Sequence, residues 1–152
     1  VFTIDGVSTQ DMDDALHVRR TADGWEVGVH ITDVSHHVPQ GSPLDAYAQS
    51  RGNTTYLPSS FNVGMFPDTL AMESFSLLPD VDRLVISVVF SVDATGTVRS
   101  SRIGRGVVRS RAKLTYTGVG KVIDAHRDGV RLCVSFSIFI PAQPCLFMKW
   151  WH

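Results

Sequence analysis

The sequence predicts an α+β fold built mainly on an antiparallel β-sheet with short helices. Three observations support this class: short runs of alternating or continuous apolar residues, turn-forming residues between the runs, and a few segments with helix-capping signals. With 152 residues and 43% hydrophobic content, the chain is long enough to form one domain around a hydrophobic core. The composition excludes a disordered chain, a collagen-like chain and a disulfide-rich scaffold.

The predicted strands are short, and turn-forming residues connect several of them. Those in the first part of the chain cover residues 1–4, 15–19 and 25–31. Residues 21–24 are typical of a hairpin turn, so the second and third strands are expected to pair antiparallel. A nearly continuous apolar run over residues 84–92 predicts a buried strand, and residues 93–96 predict a turn after it. Two further strands are predicted over residues 97–103 and 106–110.

Helices are predicted at three places. The clearest covers residues 43–50, because Ser42 suits the N-cap, Pro43 the first position and Gly52 the position after the last turn. Pro, Ser, Asn and Gly are scattered through residues 53–66 and predict an irregular loop. The other predicted helical segments are residues 67–72 and 116–126.

Charge is distributed unevenly along the chain, although the formal net charge is only −1. The first 93 residues carry 13 acidic and 4 basic side chains, and the remaining residues carry 2 acidic and 10 basic ones. Near-neutrality therefore does not exclude a nucleic-acid partner. Six basic residues lie within fifteen positions: Arg99, Arg102, Arg105, Arg109, Arg111 and Lys113. They indicate either a surface that follows phosphates or a solvated strand face that balances the acidic half.

The segment of residues 5–14, called here the acidic loop, carries four carboxylates before the first Lys or Arg. These are Asp5, Asp11, Asp13 and Asp14. Two such charges about 5 Å apart repel each other by roughly 3 kcal/mol at an effective dielectric near 20. A divalent cation, Mg²⁺ in particular, would neutralise them and would also accept phosphate oxygens. The alternative interpretation is a set of solvated turn or capping residues. An EF-hand is excluded, because position 12 counted from Asp11 is Ala22.

Six ordered motifs extend from this loop through residue 123. The first is Thr3-Ile4-Asp5 with Asp11-Met12-Asp13-Asp14-Ala15-Leu16, and the second is Val29-His30-Ile31-Thr32-Asp33-Val34-Ser35. The others are Leu44-Asp45 to Arg51-Gly52 with Thr55-Tyr56-Leu57-Pro58, Met65-Phe66-Pro67, Ser76-Leu77-Leu78-Pro79, and Arg109-Ser110 to Leu114-Thr115-Tyr116. Together they resemble the N-terminal part of the RNB catalytic domain of the ribonuclease II and ribonuclease R family.

The resemblance implies a hydrolytic 3′→5′ exoribonuclease that releases nucleoside 5′-monophosphates from the 3′ end of single-stranded RNA. It implies a two-ion Mg²⁺ site, with Mn²⁺ as an alternative ion, whose ligands are Asp5, Asp11, Asp13 and Asp14. Asp13 is expected to have the greatest catalytic effect. Tyr56 matches the family's tyrosine that stacks on the terminal base. His30 and Asp33 are interpreted as packing residues or as neighbours of a metal ligand.

The resemblance ends near residue 126, whereas an intact RNB domain is much longer. We therefore expect residues 1–126 to form a partial RNB-like domain, either active or inactive alone, followed by a divergent, non-native or truncated apolar tail over residues 127–152. Within that tail, residues 132–148 are uncharged but short for a membrane span and contain two prolines. Two cysteines favour a reduced, cytoplasmic protein. A catalytically dead RNA-binding remnant and an unrelated Mg²⁺-dependent phosphohydrolase remain alternatives, and no protein partner is inferable.

Overall fold

The computed structural model describes residues 1–57 and 62–127, and within them the chain is a mixture of strands and short helices. The strands are β1 (Thr3–Asp5), β2 (Asp14–Arg20), β3 (Gly24–Thr32), β4 (Thr55–Tyr56), β5 (Asn62–Val63), β6 (Asp82–Asp93), β7 (Val98–Arg109) and β8 (Lys113–Thr115). The helices are α1 (Val34–His37), α2 (Pro43–Arg51) and α3 (Tyr116–Arg127), and Leu70–Ser74 form a π-helical turn.

A four-stranded antiparallel sheet in the order β2-β3-β6-β7 forms the centre of the fold and confirms the predicted α+β class. The predicted hairpin is present, with β2 and β3 paired from Asp14↔Ile31 to Arg20↔Trp25. The expectation of two strands after the turn at residues 93–96 was wrong. A single strand, β7, runs through Gly104 because its ladder with β6 continues on both sides of that glycine.

The two faces of the central sheet are covered to different extents in the described part of the chain. On one face, Ala15, Leu77 and Val85 form a fully buried cluster. The opposite face carries Val88 and its cross-strand neighbour Ile103, and Ile103 is 75% exposed. The prediction that residues 84–92 form a buried strand therefore holds for only one of its faces, since neighbouring side chains on a strand point in opposite directions.

A small parallel sheet joins the first strand to the last. In it, β1 pairs with β8, so that Thr3 lies opposite Lys113 and Asp5 lies opposite Thr115. A bridge between Phe2 and Leu16 connects this pair to the edge of the central sheet. The acidic loop therefore leaves the small sheet at β1 and enters the central sheet at β2.

The helix over residues 43–50 was predicted correctly, because its capping residues act as expected. The Ser42 hydroxyl accepts a hydrogen bond from the Asp45 amide at 3.2 Å, and Gly52 ends the helix with a φ of 75°. The predicted helix over residues 116–126 is confirmed as α3. The helical turn predicted over residues 67–72 continues to Ser74 with π geometry.

Several short elements were not predicted, and one prediction concerns residues outside the described ones. The expected irregular loop over residues 53–66 contains the β4–β5 hairpin, α1 follows shortly after β3, and β8 follows β7. Each of these elements is too short to produce a periodic pattern. From residue 128 onward, the predicted tail lies outside the described residues. Among the helices of residues 1–57 and 62–127, none has the length and apolar character needed to cross a membrane.

Candidate functional site

The acidic loop brings the four predicted carboxylates close enough to influence one another. Asp5 ends β1, Asp14 begins β2, and Asp11 and Asp13 lie between them. Although more than a third of Asp13 is exposed, partial desolvation raises the pKa of its carboxyl, and the charges of Asp11, Asp14 and Asp5 raise it further. Since like charges and desolvation both oppose ionisation, the loop has a strong demand for positive charge.

One carboxylate oxygen of this group is buried without a partner among residues 1–57 and 62–127. Asp5 is 8% exposed, and its Oδ2 accepts no hydrogen bond from this part of the chain. The hydroxyl of Thr3, two residues earlier on β1 and 1% exposed, has no partner there either. Buried polar atoms of this kind are unfavourable unless they are bonded. A hard cation with oxygen ligands would satisfy the carboxylate oxygen, so the donor set fits Mg²⁺ or Mn²⁺ in charge and chemistry.

The described residues do not enclose a ready-made metal site. Within residues 1–57 and 62–127, no group of three or more His, Cys, Asp or Glu side chains is arranged to hold a metal ion. The carboxylates are therefore coupled through their charges, and their role as metal ligands stays a prediction.

A buried serine holds the backbone on both sides of Asp11. The hydroxyl of Ser76 is completely buried, accepts a hydrogen bond from the Met12 amide at 3.1 Å and donates one to the Gln10 carbonyl at 2.7 Å. In the next residue, the Leu77 amide donates to the Met12 carbonyl at 2.8 Å. The segment after the π-helical turn thus attaches the acidic loop to the core.

A lysine holds the other part of the same loop. From β8, the Lys113 ammonium donates to the carbonyls of Val7, at 3.3 Å, and Thr9. This residue was predicted as a phosphate contact. Its partners in the structure are backbone oxygens of the acidic loop, which the parallel β1–β8 pairing brings within reach.

Tyr56 lies beside the acidic loop, and its role in stacking on a base stays a prediction. The β4–β5 hairpin presents this side chain, whose hydroxyl donates to Asp11 Oδ2 at 3.3 Å. Burial and the charge of Asp11 raise the pKa of the phenol, so it stays protonated and remains a donor. Tyr56 is 67% exposed, which leaves its ring accessible to a stacking partner.

The five predicted arginines contact acidic residues elsewhere rather than the acidic loop. The pairs are Arg99–Asp93, Arg102–Glu26 at 3.4 Å, Arg105–Asp33 at 3.1 Å, Arg109–Asp82 at 2.7 Å and Arg111–Asp80 at 2.9 Å. This arrangement matches the interpretation in which the basic strand balances the acidic half. Arg109–Asp82 and Arg111–Asp80 are exposed on both sides and contribute only about 0–1 kcal/mol each, so an incoming phosphate would compete with them at little cost. Asp33 is 3% exposed, so the loss of Arg105 would leave a buried carboxylate without its cation and would cost more. Contact with phosphate stays a prediction.

A buried polar network on the central sheet was missed by the sequence analysis. His17 Nδ1 and His30 Nε2 share a hydrogen bond of 2.7 Å, and His30 Nδ1 lies 2.8 Å from Ser87 Oγ. Burial lowers the pKa of His30, and the neighbouring His17 lowers it further. The sequence signal for this network was one histidine on each strand of the predicted hairpin, because antiparallel pairing of β2 and β3 brings His17 close to His30. Asp33 accepts a hydrogen bond from Ser35 at 2.6 Å and pairs with Arg105. The hydrogen bonds found for His30 and Asp33 in the described residues therefore do not involve the four aspartates.

These features define a domain with an acidic loop of four aspartates at the edge of an antiparallel sheet, beside an exposed tyrosine. The family model described as "RNB domain" matches residues 1–132, and the chain belongs to this family. It is 39% identical over 123 residues to "Ribonuclease R 1" of Lactococcus lactis, an alignment that covers 80% of this chain and 15% of that protein.

Solved structures of two relatives share the fold. Mycoplasma genitalium RNase R, in complex with ribose methylated single-stranded RNA, superposes with a TM-score of 0.77 at 27% identity and covers 87% of this chain and 20% of that one. Yeast Ssd1, described as a pseudonuclease, gives a TM-score of 0.74 at 27% identity over 81% of this chain and 15% of that one. The chain thus spans a fifth or less of these proteins, and its structural relatives include both a ribonuclease and a pseudonuclease.

Proposed function

We propose that this chain carries the metal-binding part of a hydrolytic 3′→5′ exoribonuclease that acts on the 3′ end of single-stranded RNA. The observation that carries the proposal is the acidic loop, in which three neighbouring carboxylates raise the pKa of Asp13 and one buried oxygen of Asp5 has no hydrogen-bond partner among the described residues. Membership of the RNB family and similarity to an RNase R solved with RNA support RNA as the substrate.

In this proposal all four aspartates contribute to the cation site. Asp5, Asp11 and Asp14 bind the cations, since carboxylates are their natural ligands. Asp13 also binds, and it positions the metal and the attacking water, so we expect it to have the greatest catalytic effect. When bound, Mg²⁺ supplies an activated water and stabilises charge on the phosphate and the departing 3′ oxygen.

Tyr56 would bind the RNA rather than take part in the chemistry. Its exposed ring offers a stacking surface for the terminal base, and base–aromatic stacking contributes roughly 1–3 kcal/mol without sequence preference. The hydrogen bond to Asp11 fixes the ring beside the carboxylates. The arginines of β7 would add phosphate contacts by exchanging their present carboxylate partners for RNA. We place this activity in the cytoplasm, because a chain of 152 residues with only two cysteines is typical of a reducing compartment.

A catalytically inactive RNA-binding protein is the second candidate, favoured by the similarity to Ssd1. It differs from the first in one observable way: RNA would bind without releasing mononucleotides. An unrelated phosphohydrolase is no longer a candidate, because the chain belongs to the RNB family.

The test uses 5′-labelled RNA with a single-stranded 3′ tail, the 152-residue chain and Mg²⁺, with Asp13→Asn as a matched, nearly isosteric variant. Stepwise shortening with release of mononucleotides by the wild type, and its loss in Asp13→Asn, would support the nuclease. Release that survives Asp13→Asn would contradict the role of Asp13. RNA binding without release by the wild type would favour the inactive candidate.

A second pair of variants separates stacking from the hydrogen bond at Tyr56. Tyr56→Phe keeps the ring and loses the hydroxyl, whereas Tyr56→Ala loses both. We expect Tyr56→Ala to weaken RNA binding by about 5- to 100-fold, and Tyr56→Phe to change it little. Equal losses in both variants would show that the hydroxyl, and not the ring, contributes to RNA binding.

A further inference from the structure

We infer that Ser76 and Lys113 are positioning residues, which hold the backbone of the acidic loop so that its carboxylates meet a cation together. The inference rests on the proposed function, because it concerns the same cation site. Neither residue supplies a carboxylate, and both act on the loop from distant parts of the chain.

The argument for Ser76 begins with the position of Asp11. Its two neighbours, Gln10 and Met12, both bind one hydroxyl, so the backbone on either side of this aspartate is fixed by a single side chain. Ser76 is itself held in place, since the Arg83 guanidinium donates to the Ser76 carbonyl at 2.9 Å. Because the hydroxyl is completely buried, water cannot readily replace it when it is removed. Loss of this one oxygen should therefore release the loop at Asp11.

The argument for Lys113 concerns the other end of the loop. Its strand pairs with β1, which ends at Asp5, and its ammonium binds the carbonyls of Val7 and Thr9. Between them, the serine and the lysine anchor four backbone groups of the segment that separates Asp5 from Asp13. A loop whose backbone is already fixed at both of these places loses less conformational entropy when it binds a cation.

Two explanations of the role of Lys113 predict opposite changes in cation affinity when its ammonium group is removed. If the ammonium acts only through its charge, its loss removes a positive group near the carboxylates and strengthens cation binding. If the ammonium holds the loop, its loss weakens cation binding although the site becomes more negative. A third explanation, direct contact with an RNA phosphate, predicts no weakening of cation binding when RNA is absent.

The first measurement is Mn²⁺ affinity without RNA, from the electron paramagnetic resonance signal of the free ion titrated with the 152-residue chain. We expect about 10-fold weaker binding in Ser76→Ala and in Lys113→Met, as for other residues that orient metal ligands. Lys113→Arg, which retains donors for the loop carbonyls, should restore most of the affinity. Ser110→Ala is the matched control, since Ser110 is also buried but bonds to Ala112.

The second measurement is amide hydrogen exchange of the loop without any metal. The amides of residues 6–13 should exchange faster in Ser76→Ala and Lys113→Met, while those of β3 and β6 keep their wild-type rates. Exchange that accelerates equally throughout the sheet would show a general loss of stability and overturn the inference. Unchanged or stronger Mn²⁺ binding in Lys113→Met would overturn it as well.

These outcomes separate the inference from the function on which it rests. If the wild type binds no Mn²⁺, the proposed metal site is refuted, while the exchange rates still decide whether the two residues hold the loop. If Ser76→Ala does not fold, the comparison of Lys113→Met with Lys113→Arg decides, because this side chain is only partly buried.

Discussion

Replacing Leu77 with alanine tests whether the core that supports the acidic loop lies where the structure places it. Leu77 is 1% exposed and packs with Ala15 and Val85 on one face of the central sheet. The substitution removes three buried carbon atoms, a loss of about 2 kcal/mol at about 0.8 kcal/mol per CH₂ group. A residual cavity raises the expected destabilisation to about 3 kcal/mol. That is a large share of the roughly 5–15 kcal/mol that stabilises a typical domain.

The assay is urea unfolding followed by far-ultraviolet circular dichroism, with Ile103→Ala as the matched control. Ile103 is 75% exposed on the opposite face, so its truncation should change the free energy of unfolding by less than about 0.5 kcal/mol. A loss below about 1 kcal/mol for Leu77→Ala, or an equal loss for both variants, would refute the assignment of the core to one face.

Three further predictions address charge and close packing. Without divalent cations, Asp13→Asn should have a slightly higher melting temperature than the wild type at neutral pH, and solvent screening of this exposed residue keeps the difference small. Since the raised pKa of Asp13 reflects a penalty on its charged form, the two proteins should converge as pH falls through that pKa. Gly28→Ala should destabilise the fold by about 1–3 kcal/mol in thermal unfolding, because a Cβ there would lie 2.2 Å from His17 Cε1. Gly104→Ala is the control and should be tolerated, since a Cβ there meets no atom of the described residues within 4 Å. Hydrogen bonds from Thr95, and then the one from the Thr97 amide, lower the pKa of Asp93 to about 2. The stabilising contribution of this carboxylate is therefore present above about pH 4 and is lost as pH falls through about 2. An NMR titration of Asp93 with a midpoint near about pH 4 would contradict this prediction.

The parts of the fold that could be predicted from the sequence are those specified by neighbouring residues. Helix α2 carries its own start signals in Ser42 and Pro43, and its stop signal in Gly52. The β2–β3 hairpin likewise combines alternation with a turn in one short segment. The β1–β8 pair has no such signal, because it joins two three-residue strands at opposite ends of the described chain.

The same distinction explains what could be predicted of the site. The four aspartates stand out because they are close in sequence and lack a nearby base. The partners of the basic residues could not be predicted, because they depend on how the strands pair. Arg105 in β7 lies opposite Ile86 in β6, and its side chain reaches Asp33, which follows the end of β3. The role of Ser76 was equally hidden, because its partners Gln10 and Met12 lie more than sixty positions away.

The acidic loop is unfavourable for the chain without a cation, and this links its stability to its function. Partial desolvation and like charges oppose ionisation of Asp13, while a buried oxygen of Asp5 has no hydrogen-bond partner in the part of the chain that the structure describes. A cation that binds only the folded chain stabilises it by about 2.7 kcal/mol at 100 times its dissociation constant. Asp13→Asn should therefore be the more stable protein in a chelator and the less stable one in excess Mn²⁺. This reversal distinguishes a cation site from a set of solvated turn residues, because solvated turns would give the same order of stability under both conditions.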